Sequence, residues 1–136
     1  MRLSIALATA IAVSGLTLAS PAVGATTSDP FGGMWESIDA GDGSYQTLNV
    51  RGSGTGGMHA VRLFDTEASA ACGGEPASVQ GTGSVSGSRM AFYFTISCPG
   101  SGKGPTTGRV GPIVFRYHAG ADTLTDGSGT VWHRIG

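Results

Sequence analysis

Apolar and polar residues alternate along most of this chain with a period of two rather than the 3.6 of a helix. The clearest case is 58–65, where His59, Val61 and Leu63 share one face and Ala60, Arg62 and Phe64 the other. Met90, Phe92, Phe94 and Ile96 repeat the pattern within 89–98, and Leu48 and Val50 share a face of 44–51. Residues 34–38, 78–85, 109–118, 123–125 and 130–135 complete the expected strands. Turn chemistry separates them: Asp39-Ala40-Gly41-Asp42-Gly43, the glycine loop 52–57, Ser86-Gly87-Ser88, Ala119-Gly120 and Asp126-Gly127. Beyond residue 25 the long runs of Ala, Leu, Glu, Lys and Gln that sustain a helix are missing. One turn within 66–71, capped by Asp65 or Thr66, is the single helical expectation.

About eight strands joined by short loops predict an all-β, single-domain antiparallel up-and-down meander. Eight strands suffice to close a barrel whose interior is filled by side chains or holds one small ligand. A closed or nearly closed barrel is therefore expected, with a small β-sandwich as the alternative. If Ser86-Gly87-Ser88 is a hairpin tip, Cys98 falls opposite the region of Glu75, a few residues from Cys72.

The first 25 residues break the pattern and read as a secretory signal. Arg2 gives the positive start, 3–18 the apolar run, and Val23-Gly24-Ala25 the small residues of a cleavage site near Ala25. The run is too short and too diluted by Ser and Thr to span a bilayer, so a secreted chain with no membrane insertion is expected. Residues 26–30 then form a flexible N-terminal tail, and 31–136 the β-barrel domain. Export makes a disulfide between Cys72 and Cys98 the expected fate of the two cysteines. A metal site would need further close ligands, and neither cysteine has a nearby His.

Charge is sparse at 12%, with a formal net charge of −1, and signal cleavage would remove only Arg2. Lys103 is the sole lysine and the arginines are scattered, so nucleic acid is a poor partner. The 24 glycines do not signal disorder, because Phe92-Tyr93-Phe94-Thr95-Ile96 and Ile113-Val114-Phe115-Arg116-Tyr117 demand burial.

Gly33-Met34-Trp35 opens the first strand and Arg134 lies near the end of the last. This pairing resembles the signature of the lipocalin–avidin superfamily, the calycins. The resemblance implies that Trp35 closes one end of the barrel while Arg134 packs over its ring, a cation–π contact. In length the chain is similar to avidin-type barrels and to small exported bacterial metalloprotease inhibitors, which also carry a G-x-W and one disulfide. A wider resemblance is to small exported bacterial proteins of unknown function. They share the order W-x-S-x-D, D-G-S, C-G-G, D-T-L-T-D and W-x-R, here residues 35–39, 42–44, 72–74, 122–126 and 132–134. That resemblance implies no function.

Candidate chemistry is thin. Gly52-Ser53-Gly54-Thr55-Gly56-Gly57 satisfies G-x-G-x-x-G, but a dinucleotide site needs a following helix and a strand is expected instead. G-x-S-x-G is absent, Val85 standing at the nucleophile position of 83–87. His59, His118 and His133 lie on separate strands without H-x-H or H-E-x-x-H spacing; a barrel could gather them at a metal, while exposed or hydrogen-bonded histidines are the simpler reading. Asp39, Asp42, Asp122 and Asp126 fall in turns, where an Asx-turn role competes with a weak calcium site. Trp35, Trp132, Phe92, Phe94, Phe115 and Tyr117 either line a ligand cavity or fill a dry core, and core filling is the expectation.

No catalytic, cofactor-binding or metal-ligating residue is thus assigned. The expected function is that of an exported, non-enzymatic, calycin-like binding protein, acting as a monomer on a small ligand, a surface polymer or an extracellular protein. An inhibitor of an extracellular hydrolase, using the N-terminal tail, is the alternative, and a small secreted hydrolase the second.

Overall fold

Eight strands form in the computed structural model, which describes residues 29–52, 57–102 and 109–136. They are β1 (Gly33–Ile38), β2 (Tyr45–Arg51), β3 (Met58–Asp65), β4 (Ala77–Ser86), β5 (Arg89–Ser97), β6 (Val110–His118), β7 (Thr123–Thr125) and β8 (Val131–Arg134). Each pairs antiparallel with the next, and β8 returns to β1, so the sheet closes into an up-and-down barrel rather than a sandwich. Period-two alternation is what makes this possible, because it gives every strand one apolar face to turn inward. In β3 the alternation is complete, with His59, Val61, Leu63 and Asp65 buried and the residues between them exposed. The expected signal at 1–25 and the tail residues 26–28 lie outside the described residues, as do 53–56 of the glycine loop and 103–108.

The β4–β5 hairpin turns on Gly87 and Ser88 alone, with Ser86 opposite Arg89. Gly87, at φ 59°, supplies the left-handed backbone this two-residue turn requires. The register is therefore one residue tighter than a three-residue tip would give. Farther along, the β5–β6 ladder slips between Phe92 and Phe94, where Gly111 and Pro112 interrupt β6. Proline has no N–H to offer the ladder, so the strand bulges there.

The helical turn forms at α1 (Ser69–Cys72), three residues later than its expected start at Thr66. Neither expected cap serves it. Asp65 Oδ1 accepts from the Glu67 amide and Thr66 Oγ1 from the Tyr45 amide, so both side chains are committed to the β3 exit. The acceptor for Ser69 comes instead from Asp42 on the β1–β2 turn, 2.6 Å from its hydroxyl.

Strand direction gives the barrel two unlike ends. The starts of β1, β3, β5 and β7 surround one end, and Phe31, Trp35, Met90 and Tyr117 fill it. Phe31 and Trp35 have no exposed surface; the Trp35 indole N–H donates to the Phe31 carbonyl at 3.0 Å, and Tyr117 packs against both rings. The opposite end is ringed by the β1–β2 turn, α1, the start of β4, the end of β5 and the β7–β8 turn.

Candidate functional site

The filled end is held shut by Arg134. Its guanidinium lies 4.0 Å from the centre of the Trp35 ring. The same group donates to the carbonyls of Pro30 and Gly32 and to both carboxylate oxygens of Asp122, at 2.8 and 3.0 Å. Asp122, at φ 48°, thus serves as the counter-ion of Arg134 rather than as an Asx-turn former. The hydrogen bonds from Arg134 hold its carboxyl below the usual aspartate range, against a smaller opposing effect of burial. Gly33 permits the contact. A Cβ there would stand 2.6 Å from the Gly136 carbonyl oxygen and 2.9 Å from Arg134 Nη1, and its φ of 127° strains any other residue.

Of the five tail residues, Asp29 and Pro30 are described, and both are engaged. Asp29 Oδ2 lies 2.7 Å from Nε2 of the buried His59, and the Pro30 carbonyl accepts from Arg134. The tail that was expected to be free is therefore anchored at its last two residues, because His59 points inward and reaches it.

The three histidines do not converge. His59 is inside the barrel at the filled end, whereas His118 and His133 are exposed, His118 bonding Thr125 at 2.9 Å. Among the described residues, no three His, Cys, Asp or Glu side chains are grouped to hold a metal ion. The turn aspartates are occupied locally. Asp39, Asp42 and Asp126 each accept from the amide two residues on, the defining bond of an Asx-turn.

Among the described residues, the other end of the barrel is left open. A cavity of about 460 Å³ enters it, walled by Leu63, Val79, Phe94, Ile96, Ile113 and Phe115. The aromatic residues are thus divided between the two roles weighed for them. Trp35, Trp132, Phe92 and Tyr117 pack the core, Trp132 edge-on to Phe115 with ring centres 5.8 Å apart, while Phe94 borders the cavity and the fully buried Phe115 backs its wall.

Polar groups ring the apolar wall. Asp39, Asp65 and Asp126 line the cavity together with Gln46. Gln46 Nε2 donates to Asp39 Oδ2 and to Asp65 Oδ2, each at 3.0 Å. Asp126 accepts from Thr130 and Ser128 and, at 3.2 Å, from the Trp132 indole. The sequence pattern alone assigns Gln46 no role and Asp65 only that of a helix cap. Their signal was present: each sits in phase with the buried face of its strand, beside Leu48 and Leu63.

The disulfide frames this end. Cys72 and Cys98 are bonded with Cα atoms 5.6 Å apart, tying α1 to the end of β5. Ala68 and Ala71 of this tethered segment line the cavity, so the bond fixes part of its rim. Among the described residues, no helix is long and apolar enough to cross a membrane. No family model, curated protein or solved structure matches this chain.

Proposed function

We propose that this chain is an exported, non-enzymatic binding protein of calycin-like design that takes a small, largely apolar molecule into the open end of its barrel. The cavity carries the reading. It has a volume ordinary for small-molecule sites, apolar walls and a few fixed polar groups at its entrance. The opposite end supports the same view, since among the described residues Arg134, Trp35 and Phe31 close it. The disulfide is consistent with an oxidising compartment outside the cytoplasm, as a leader at 1–25 implies.

Titration with Nile red, a neutral apolar dye, tests the reading. Saturable fluorescence enhancement is expected at one site per barrel. Ala71→Trp, which places an indole on the exposed rim without disturbing the core, should block it. A dye response that does not saturate, or that survives the plug, overturns the proposal.

A further inference from the structure

We propose that the mouth selects a cationic amphiphile, an apolar body bearing one ammonium group, and reads the charge of that group rather than its N–H pattern. This deepens the mouth-binding reading and rests on it.

The charged side chains lining the cavity, Asp39, Asp65 and Asp126, all have one sign. Two of them are drawn together on a single neutral nitrogen, Gln46 Nε2. That amide supplies hydrogen bonds but no compensating charge. Asp42, Glu67 and Glu75 add further negative charge at the same end of the barrel. Among the described residues, the cations beside this end lie on the outer wall. Exposed Arg89 and Arg116 share a surface pocket with Asp126, which leaves Asp39 and Asp65 as the uncompensated pair, and Arg109 is turned away. Its guanidinium lies 5.5 Å from the centre of the Tyr93 ring on the outer wall and donates to Thr82 at 2.7 Å. A negative potential at the entrance to an apolar pocket is focused by the low-dielectric walls. An ammonium at the rim would gain from that potential while its tail covers Leu63, Val79 and Ile96. The ring of Phe94 adds a polarisable wall favourable to a cation. An anionic amphiphile of the same shape would be repelled.

The carboxylates are also already supplied with donors. Asp39 Oδ1 accepts from the Gly41 amide at 2.6 Å and Asp65 Oδ1 from the Glu67 amide at 3.0 Å, in addition to the Gln46 bonds. Asp126 is bonded on both oxygens. Each of these oxygens thus already holds a donor, which a ligand N–H would have to share, so a quaternary ammonium should serve about as well as a primary one.

Displacement of Nile red by four decyl compounds below their micelle concentrations tests this: decyltrimethylammonium, decylammonium, decanol and decyl sulfate. Both cations should bind about tenfold tighter than decanol, the sulfate more weakly, and the advantage should shrink at high salt. In Asp39→Asn/Asp65→Asn the cation-to-alcohol ratio should fall toward one; the single Asp39→Asn gives a smaller fall and serves if the double variant does not fold. Equal binding of cation and alcohol, tighter binding of the sulfate, or a ratio unchanged in the folded variant overturns the charge selection while leaving the mouth as a binding site. Failure of all four to displace a bound dye also overturns it, and failure of the dye itself overturns the mouth-binding reading.

Discussion

Arg134 and Trp35 are register partners across the seam that closes the barrel, and the guanidinium lies over the indole at 4.0 Å. One side chain thereby joins the last strand to the first, covers the floor of the interior and satisfies carbonyls of the incoming chain at Pro30 and Gly32. The geometry needs both a planar cation and a residue without a side chain beside it. Arg134 supplies the first and Gly33 the second.

Arg134→Ala should destabilise the fold by about 1–3 kcal/mol, combining the ring contact with charge-assisted hydrogen bonds that are partly exposed. Arg134→Lys should recover a fraction, since an ammonium keeps the charge but not the fork that reaches Asp122 and two carbonyls. Urea unfolding of the three proteins checks the order.

Loss of the disulfide in Cys72→Ala/Cys98→Ala should cost about 2–5 kcal/mol. The bond spans 26 residues and anchors α1, so amide exchange should accelerate first around Ala68–Cys72 and the end of β5. Uniform acceleration throughout the barrel would contradict this.

Acid should expose the Asp42 tether. The Ser69 hydroxyl, and then the Ser44 amide, lower its carboxyl from the usual 3.8 to about 2. A carboxyl depressed in the folded state contributes stability above its unfolded value, and that contribution fades as pH falls through its folded one. The stability difference between wild type and Asp42→Asn should therefore be constant above about pH 4 and vanish toward pH 2. Asp122→Asn should show a difference of the same sign that also fades below the usual aspartate range, through loss of its Arg134 bonds. Unfolding measured across pH 2–7 decides both.

Gly81→Ala should be costly although this glycine sits in ordinary strand geometry. A Cβ there would lie 1.9 Å from the Tyr93 carbonyl oxygen and 2.8 Å from the Phe94 Cα. Both are backbone atoms, so β4 and β5 would have to separate. A loss of about 1–3 kcal/mol is expected, with perturbed amide shifts centred on Tyr93 and Phe94.

Strand positions, the meander order and the cysteine pairing were legible in the residues themselves. Alternation in 58–65 and 89–98, and Asp or Gly at the turns, act through neighbours in the chain, and such local preferences are largely independent of what lies across the fold. The tether of α1 was not legible, because the oxygen that accepts from the Ser69 hydroxyl belongs to Asp42, brought alongside by the barrel. Nor could Phe94 be told from Phe92. They share one face of one strand, yet one borders the cavity and the other is sealed in the core. That division depends on the volume contributed by all eight strands at each level, and on Phe31, Trp35 and Tyr117 filling one end. Asp65 and Gln46 likewise read as polar exceptions on apolar faces until closure set them with Asp39 at one rim. The sequence determined which faces turn inward; only the closed barrel decided which end stayed open and what charge surrounds it, because both are sums over residues distant in the chain.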